Sequence, residues 1–141
     1  MGAEALIEAL ALLSEEAADE VEQDHSLATF APKLNREMAR VDWMRPALEL
    51  GWHLRGLDTV PGAWSTLGGE PVKLFVPSPE PRFVHGKKPG TILKTQGGGG
   101  LLVACGSGAL RLGEIQSSGK KRMPVSTWLP GHPLADGACF E

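Results

Sequence analysis

The sequence carries a set of lysine and arginine side chains next to predicted turns, where they could bind phosphate groups. Two precede a predicted strand, one ends that strand, one lies on the next long strand, and three fill the loop after it. We expect these loops to converge on one rim of a small barrel, so that the cations face a common groove. Few aromatic residues lie among them, which favours shape and phosphate recognition of a folded RNA over base stacking. The set comprises Lys87, Lys88, Lys94, Arg111, Lys120, Lys121 and Arg122.

The net charge of −3 is the sum of two opposite regions. Residues 1–26 contain eight acidic side chains and no lysine or arginine, whereas residues 27–141 hold all fourteen lysines and arginines against nine acidic side chains, a net +5. A basic body behind an acidic leader is compatible with a polyanionic partner. Solvated surface lysines are the alternative explanation of a charge of this size.

Other motifs do not supply chemistry. The glycines of LLVACGSGALRLG resemble a phosphate loop, but strand-like alternation follows where such a loop needs a helix, so they predict a tight β-turn. The four histidines fall on four different predicted elements. Glu49 and His53 share a helix face, a spacing more typical of a surface contact than of a metal site. Cys105 and Cys139 form no CxxC pair; we interpret them as buried reduced thiols, with a disulfide as the alternative.

The elements that must position the cations are short. Eighteen glycines and eleven prolines favour many turns, and we predict a mainly β fold with short helices, an open OB-like barrel preceded by a linker and helices. The predicted helical segments are residues 2–13, 36–40, 47–55 and 124–129. The predicted strands are residues 63–67, 72–77, 90–94, 101–105 and 109–116.

Three further features complete the predicted organisation. The proline-dense PSPEP, residues 77–81, predicts a connection or an edge strand, and GGGG, residues 97–100, predicts a hairpin loop. No stretch reaches the roughly 18 apolar residues of a membrane helix, and no basic segment typical of a secretory signal begins the chain. We therefore expect a cytoplasmic protein without a membrane partner.

Five segments, taken in order, resemble the methionyl-tRNA formyltransferase family. They are APKLNREMARVDWMRPALEL, LRGLDTVPGAWSTLGGEPVKLF, KKPGTIL, GLLVACGSGALRLGEIQ and GKKRMPVSTWLPGHPLADG. The order of five blocks is more specific than any single one. Residues 57–60 depart from the family pattern, which commonly places Asn-Pro-Trp before the Pro-Gly, so the local turn geometry is expected to differ.

The resemblance implies a domain organisation. Residues 27–141 would be the family's C-terminal OB-like domain, and residues 1–26 the closing helix of a catalytic domain followed by an acidic linker. In the family, 10-formyltetrahydrofolate and the catalytic residues belong to that catalytic domain, which this sequence lacks. We therefore carry over no catalytic residue, expect no cofactor or metal in this chain, and expect no formylation by the chain alone.

The resemblance also implies a function: binding initiator methionyl-tRNA and positioning it for N-formylation in translation initiation, with a catalytic formyltransferase domain in cis or in trans. It adds Lys33 and Arg36 to the seven barrel cations as tRNA-contacting positions. Arg40 and Arg55 match too, but structural ion pairs explain them equally well. The four tryptophans are interpreted as core or interface anchors. The alternatives are the C-terminal domain of a sugar-nucleotide or folate formyltransferase, and a purely structural cover domain.

Overall fold

A computed structural model of the chain describes residues 2–19, 21–93 and 100–141, and divides it into two compact units, Met1–Pro32 and Lys33–Glu141. The first unit contains helix α1 (Gly2–Ser14) and a 3-10 turn (His25–Leu27). The predicted first helix is thus confirmed. It buries none of its residues, and Leu6, Ile7 and Leu10 are each more than half exposed. No helix in the described ranges is both long and apolar enough to cross a bilayer.

The second unit is mainly β with short helices, as predicted. Its strands form one antiparallel sheet in the order β1-β2-β5-β4-β3, and β6 pairs with β5. The helices are α2 (Ala47–Gly56) and α3 (Val125–Trp128), with a 3-10 turn at Leu129–Gly131. The strands are β1 (Trp64–Leu67), β2 (Glu70–Glu80), β3 (Ile92–Leu93), β4 (Leu101–Ala104), β5 (Ala109–Ser117) and β6 (Met123–Pro124).

Helix α2 packs into the concave side of this sheet. Leu50 and Leu54 of α2 share one buried core with Leu74, Leu110 and Ile115 of the strands. The strands that face this helix carry apolar residues at alternate positions, because successive side chains of a strand point to opposite faces. Fully burying an aliphatic side chain contributes about 1.5–3 kcal/mol relative to leaving it exposed, so this core is the main reason that the short strands are stable.

The sheet bends at the middle of β2 and β5. On β2 the inward positions are even-numbered up to Leu74, then Val76 takes a left-handed φ of +53° and Pro79 packs against Gly51 of α2. On β5, Leu112 faces inward before Gly113, and Ile115 faces inward after it. In both strands, therefore, the face that is buried in the core changes from one side of the strand to the other, and the two changes lie next to each other. This curls the sheet around α2 as an open half-barrel.

The last residues of the chain connect the two edge strands of the half-barrel. Phe140 N–H donates to the Gly90 carbonyl (2.9 Å), and Ile92 N–H donates to the Ala138 carbonyl (2.8 Å). On the other side, Glu141 and Thr66 exchange backbone hydrogen bonds of 3.0 Å in both directions. The C-terminal residues thus bridge β1 and β3.

The segment before α2 docks along the sheet by backbone contacts. Residues 36–40 form the predicted helical turn, and Asn35 caps it by accepting a hydrogen bond from Met38 N–H (2.9 Å). Isolated parallel bridges then join Arg40 to Trp64 and Pro46 to Ser107. The linker-like sequence is therefore an integral part of this unit.

Two turn predictions have clear outcomes. Residues 77–80 of the PSPEP segment belong to β2. There β5 pairs with β2 on one side, whereas the pairing with β1 ends at Lys73, so this half of β2 is an edge. Cys105 N–H donates to the Gly108 carbonyl (3.1 Å), which confirms the tight turn between β4 and β5. The loop predicted at GGGG falls mostly on residues 97–99, which lie outside the described residues.

Candidate nucleic-acid interface

One row of side chains crosses the outer face of the sheet near β1. Trp64 pairs with Lys73, and Lys73 pairs with Gln116. Directly opposed residues of antiparallel strands point to the same face, so these three side chains form one row. The neighbouring Ser65 and Val72 are 0% and 4% exposed, which places the core on the opposite face.

Trp64 fastens the helical turn of residues 36–40 to this row. Its indole Nε1 donates to the Arg36 carbonyl (2.8 Å), and its backbone N–H donates to the Ala39 carbonyl (2.9 Å). The guanidinium carbons of Arg36 and Arg40 lie 5.0 and 5.6 Å from the centre of the indole ring. Each such cation–π contact contributes about 0.5–1 kcal/mol at an exposed site, so the ring holds both cations beside the cleft.

A cleft of ≈ 440 Å³ opens at this row, and we call it the Trp64 cleft; it is lined by Arg36, Trp64, Lys73, Gln116 and the turn of residues 117–119, among others. Lys73 enters over Gly62, where an added Cβ would lie 2.9 Å from Lys73 Cδ. Gln116 Nε2 donates to the Lys120 carbonyl (2.8 Å), which fixes the turn and brings exposed Lys120 and Lys121 to the edge of the cleft.

The cations around the cleft are not neutralised by carboxylates. Within the described ranges, no Asp or Glu oxygen lies within ion-pairing distance of the lysines and arginines here. They are Arg36, Arg40, Lys73, Lys120 and Lys121. This part of the outer face therefore carries several cations without an ion-pairing carboxylate among the described residues.

Two of the predicted contact residues are instead engaged in ion pairs. Arg122 is paired with Asp58 (Nη1 to Oδ1, 2.6 Å) and with Glu114, and it lies over the ring of Phe75 at 4.0 Å. Arg111 pairs with Glu80 at 2.7 Å, across the β2–β5 ladder. Both guanidinium groups are about a third exposed, so their primary contacts lie within the sheet.

The remaining predicted residues fall at two ends of the sheet. Lys88 accepts a backbone hydrogen bond from Thr91 beside β3 and β4, so it and exposed Lys87 lie near the Ala109 end of β5. Lys120 and Lys121 follow the opposite end of β5, a strand with a contour length of about 26 Å at about 3.3 Å per residue. Lys33 is exposed just before the Asn35 cap, and Lys94 lies outside the described residues. The described cations thus form two groups, not one rim.

The sequence reasoning missed Lys73, and it interpreted Trp64 as a core or interface anchor, which agrees with the packing of Trp64 against the buried core. Lys73 stands between the buried Val72 and Leu74, and this alternation is the signal that could have placed it on the outer face. Core packing is confirmed for Trp43 and Trp128, which are 5% and 4% exposed. Trp64, by contrast, is only partly buried and contacts the two arginines.

Glu49 and His53 have different surroundings in the structure. Glu49 is paired with Arg45 (2.9 Å), and the buried Nε2 of His53 has no hydrogen-bond partner. Burial, followed by the charge of Arg45, lowers the pKa of His53, so the imidazole is neutral near pH 7. Among the described residues, no three His, Cys, Asp or Glu side chains converge as metal ligands would.

Both cysteines are free thiols, and they should differ in reactivity. Cys105 is fully buried; burial raises its pKa to about 12, although a backbone hydrogen bond from Leu110 opposes this. Since only the thiolate reacts, we expect one fast thiol, Cys139, per native chain at pH 8 and two after unfolding in urea. A thiol-reactive chromophore measures both values, and two fast thiols in the native protein would contradict the burial of Cys105.

The comparisons with known proteins agree with this architecture. The model of the formyl transferase C-terminal domain matches residues 33–133. The chain belongs to the formyl transferase C-terminal domain family. Curated relatives in the same family include the methionyl-tRNA formyltransferases of Thiobacillus denitrificans (43% identical, 82% of this chain and 37% of the relative) and Pelobacter propionicus (41% identical, 97% and 42%). The resemblance predicted from the five sequence segments is therefore confirmed.

The relatives are longer than this chain. It spans about two fifths of the length of the methionyl-tRNA formyltransferases that it matches, including 44% of the one from Chlorobium phaeovibrioides, which is 39% identical over 99% of this chain. Among solved structures, HypX from Aquifex aeolicus matches with a TM-score of 0.63 at 22% identity, over 94% of this chain and 24% of HypX. At this identity the likeness shows the fold alone.

Proposed function

We propose that this chain is the tRNA-binding part of a methionyl-tRNA formyltransferase and positions initiator methionyl-tRNA for N-formylation in translation initiation. The observation that carries the proposal is the group of unpaired cations around the Trp64 cleft, in a domain whose relatives are methionyl-tRNA formyltransferases. A surface of this kind suits a phosphate backbone, because each phosphate neutralised by Lys or Arg releases counterions.

The contribution of such a domain to the reaction would be orientation. A catalytic domain, in cis or in trans, would bind 10-formyltetrahydrofolate and transfer the formyl group, while this domain holds the body of the tRNA. Fixing a large substrate in a productive position lowers the entropic part of the barrier without any reacting side chain. We place the protein in the cytoplasm, where initiator tRNA is charged and used.

The salt dependence of tRNA binding tests this function. Six cations lie at this end of the unit, so affinity for initiator tRNA should fall by roughly 10³ between about 50 and 200 mM salt if all six contact phosphates. They are Lys33, Arg36, Arg40, Lys73, Lys120 and Lys121. Filter binding over a salt series measures this slope, and an affinity that ignores ionic strength would remove the electrostatic basis of the proposal.

The double variant Lys120→Ala with Lys121→Ala should lower the salt slope by about 1.8, or 0.9 for each lost phosphate contact, and weaken binding at least tenfold. Arg122 is left unchanged because its loss would also leave Asp58 and Glu114 unpaired. The control with the same charge change is Arg45→Ala with Arg82→Ala, two exposed residues outside the predicted contact set and outside the lining of the cleft. Equal losses in both double variants would mean that net charge alone matters.

A further inference from the structure

Two of the cations in the proposed tRNA surface lie over the ring of Trp64, and Lys73 lies opposite Trp64 on β2. We propose that the Trp64 cleft is an RNA-phosphate site, in which Arg36 and Lys73 of its lining and Arg40 beside it bind the backbone and Trp64 acts as the positioning residue. This inference rests on the proposed function and makes it specific. Neither Lys73 nor Trp64 belongs to the set of contact residues predicted from the sequence.

Residues from three separate segments of the chain meet at this cleft. Arg36 comes from the turn before the sheet, Lys73 from β2, and the 117–119 turn from the end of β5, yet all of them line one cleft. Asp58 and Glu114 are both paired with Arg122, and within the described ranges no carboxylate lies within ion-pairing distance of Arg36 or Lys73. The cations that line the cleft therefore remain available to an external anion.

Trp64 holds the 36–41 segment in place through several contacts. Its indole N–H, backbone N–H and backbone carbonyl all bond to the 36–41 segment, at 2.8, 2.9 and 2.9 Å. Its ring also lies under the guanidinium groups of Arg36 and Arg40. Long side chains lose rotamer freedom when they are ordered, and a ring that orders them in advance reduces the entropic cost of binding.

The contacts within the Trp64 cleft also indicate which part of an RNA fits it. The indole ring is already covered by the guanidinium groups, so it does not offer a free face for a base, as the aromatic platforms of single-strand binders do. The side-chain amide of Gln116 already donates a hydrogen bond to the Lys120 carbonyl. The cleft therefore suits the sugar-phosphate backbone of a folded RNA, without reading its sequence.

The decisive variant is Arg36→Ala with Lys73→Ala, compared with Arg45→Ala and Arg82→Ala as the charge-matched control. We expect the first pair to lower the salt slope for tRNA by about 1.4–1.8 and to weaken binding at least tenfold. The control should change the slope by less than half of this. Urea unfolding of each variant verifies that the comparison is made between folded proteins.

Trp64 is tested by substitutions that separate its ring from its N–H group. Trp64→Phe keeps an aromatic face under the arginines and should retain most of the slope. Trp64→Leu removes the aromatic face, so it should lower the salt slope towards the value of the Arg36→Ala, Lys73→Ala variant. A loss of affinity with an unchanged slope in Trp64→Leu would show a structural role only and overturn the positioning role.

The outcomes distinguish this site from the general function. If the wild-type protein binds tRNA with a steep salt dependence but Arg36→Ala with Lys73→Ala behaves like the control, the cleft assignment fails and the proposed function stands. If the wild-type protein does not bind tRNA, the proposed function itself fails. Competition by poly-glutamate as effective as that by tRNA, at equal charge, would overturn the RNA assignment in favour of an acidic polypeptide.

Discussion

Replacing Gly106 by Ala should cost this domain about 3 kcal/mol or more of its free energy of unfolding. A Cβ at this position would lie 1.8 Å from the Met44 carbonyl oxygen and 2.6 Å from its carbon. Both atoms are backbone, so no side-chain rotation can relieve the overlap. The shift would also disturb two hydrogen bonds that Gly106 N–H donates, to the carbonyls of Trp43 (2.9 Å) and Arg45 (3.1 Å).

Urea unfolding checks this prediction, and the midpoint should fall by roughly 1–3 M, given a slope of about 1–3 kcal/mol per M for a domain of this size. Gly131→Ala is the appropriate control, because a Cβ there meets no atom within 4 Å and the residue has no left-handed φ. Near-native stability of Gly106→Ala would mean that the 43–47 segment does not dock on the β4–β5 turn as described.

Local sequence pattern was enough to predict most of the second unit. Alternation identified the strands, the predicted helix of residues 47–55 coincides with α2, and the turn between β4 and β5 followed from its glycines. These features depend on residues that are close in the chain. The length of β2 was underestimated because prolines argue against a central strand, whereas its distal half pairs on one side only.

The arrangement of the cations could not be predicted in the same way. Arg122 forms an ion pair with Asp58, which is 64 residues away in the sequence. Arg111 forms one with Glu80, which is 31 residues away. Such partners depend on which strands become neighbours, and a list of positive residues does not contain that information. The face exchange at Val76 and Gly113 is likewise set by tertiary packing, since it determines which side of each strand meets α2.

The same consideration explains why the predicted single rim became two groups. The distance between Lys88 and Lys120 depends on the length of β5, which carries them to opposite ends of the sheet. Lys73, in the middle of a strand, becomes part of the cleft because β1 and β5 flank it. The order of the strands in the sheet, more than the density of charge along the sequence, decides which cations lie next to one another.

Trp43→Ala should be at least as damaging as the glycine substitution, at about 3–5 kcal/mol. Trp43 is 5% exposed and stacks on Phe140 with ring centres 5.4 Å apart. Its Nε1 donates to the buried hydroxyl of Ser65 (3.0 Å), which in turn donates to the Glu141 carbonyl (2.7 Å). The side chain therefore joins the docked segment, β1 and the bridging C-terminal residues.

Calorimetry or urea unfolding measures this loss, with Trp52→Ala as the control, because Trp52 is also a tryptophan but is 56% exposed. Trp43→Phe should fall between the two, since it preserves most of the ring and removes the hydrogen bond to Ser65, which costs about 1–3 kcal/mol when a partner is left buried. A Trp43→Ala protein as stable as Trp52→Ala would contradict the proposed anchoring.

This variant also separates stability from recognition. The cations of the Trp64 cleft are unchanged in Trp43→Ala, so each folded molecule should bind tRNA with the wild-type salt slope. The apparent affinity should fall only by the fraction of molecules that is unfolded. A lower salt slope in Trp43→Ala would mean that the docked segment sets the geometry of the phosphate-binding cations through Trp43 as well as through Trp64.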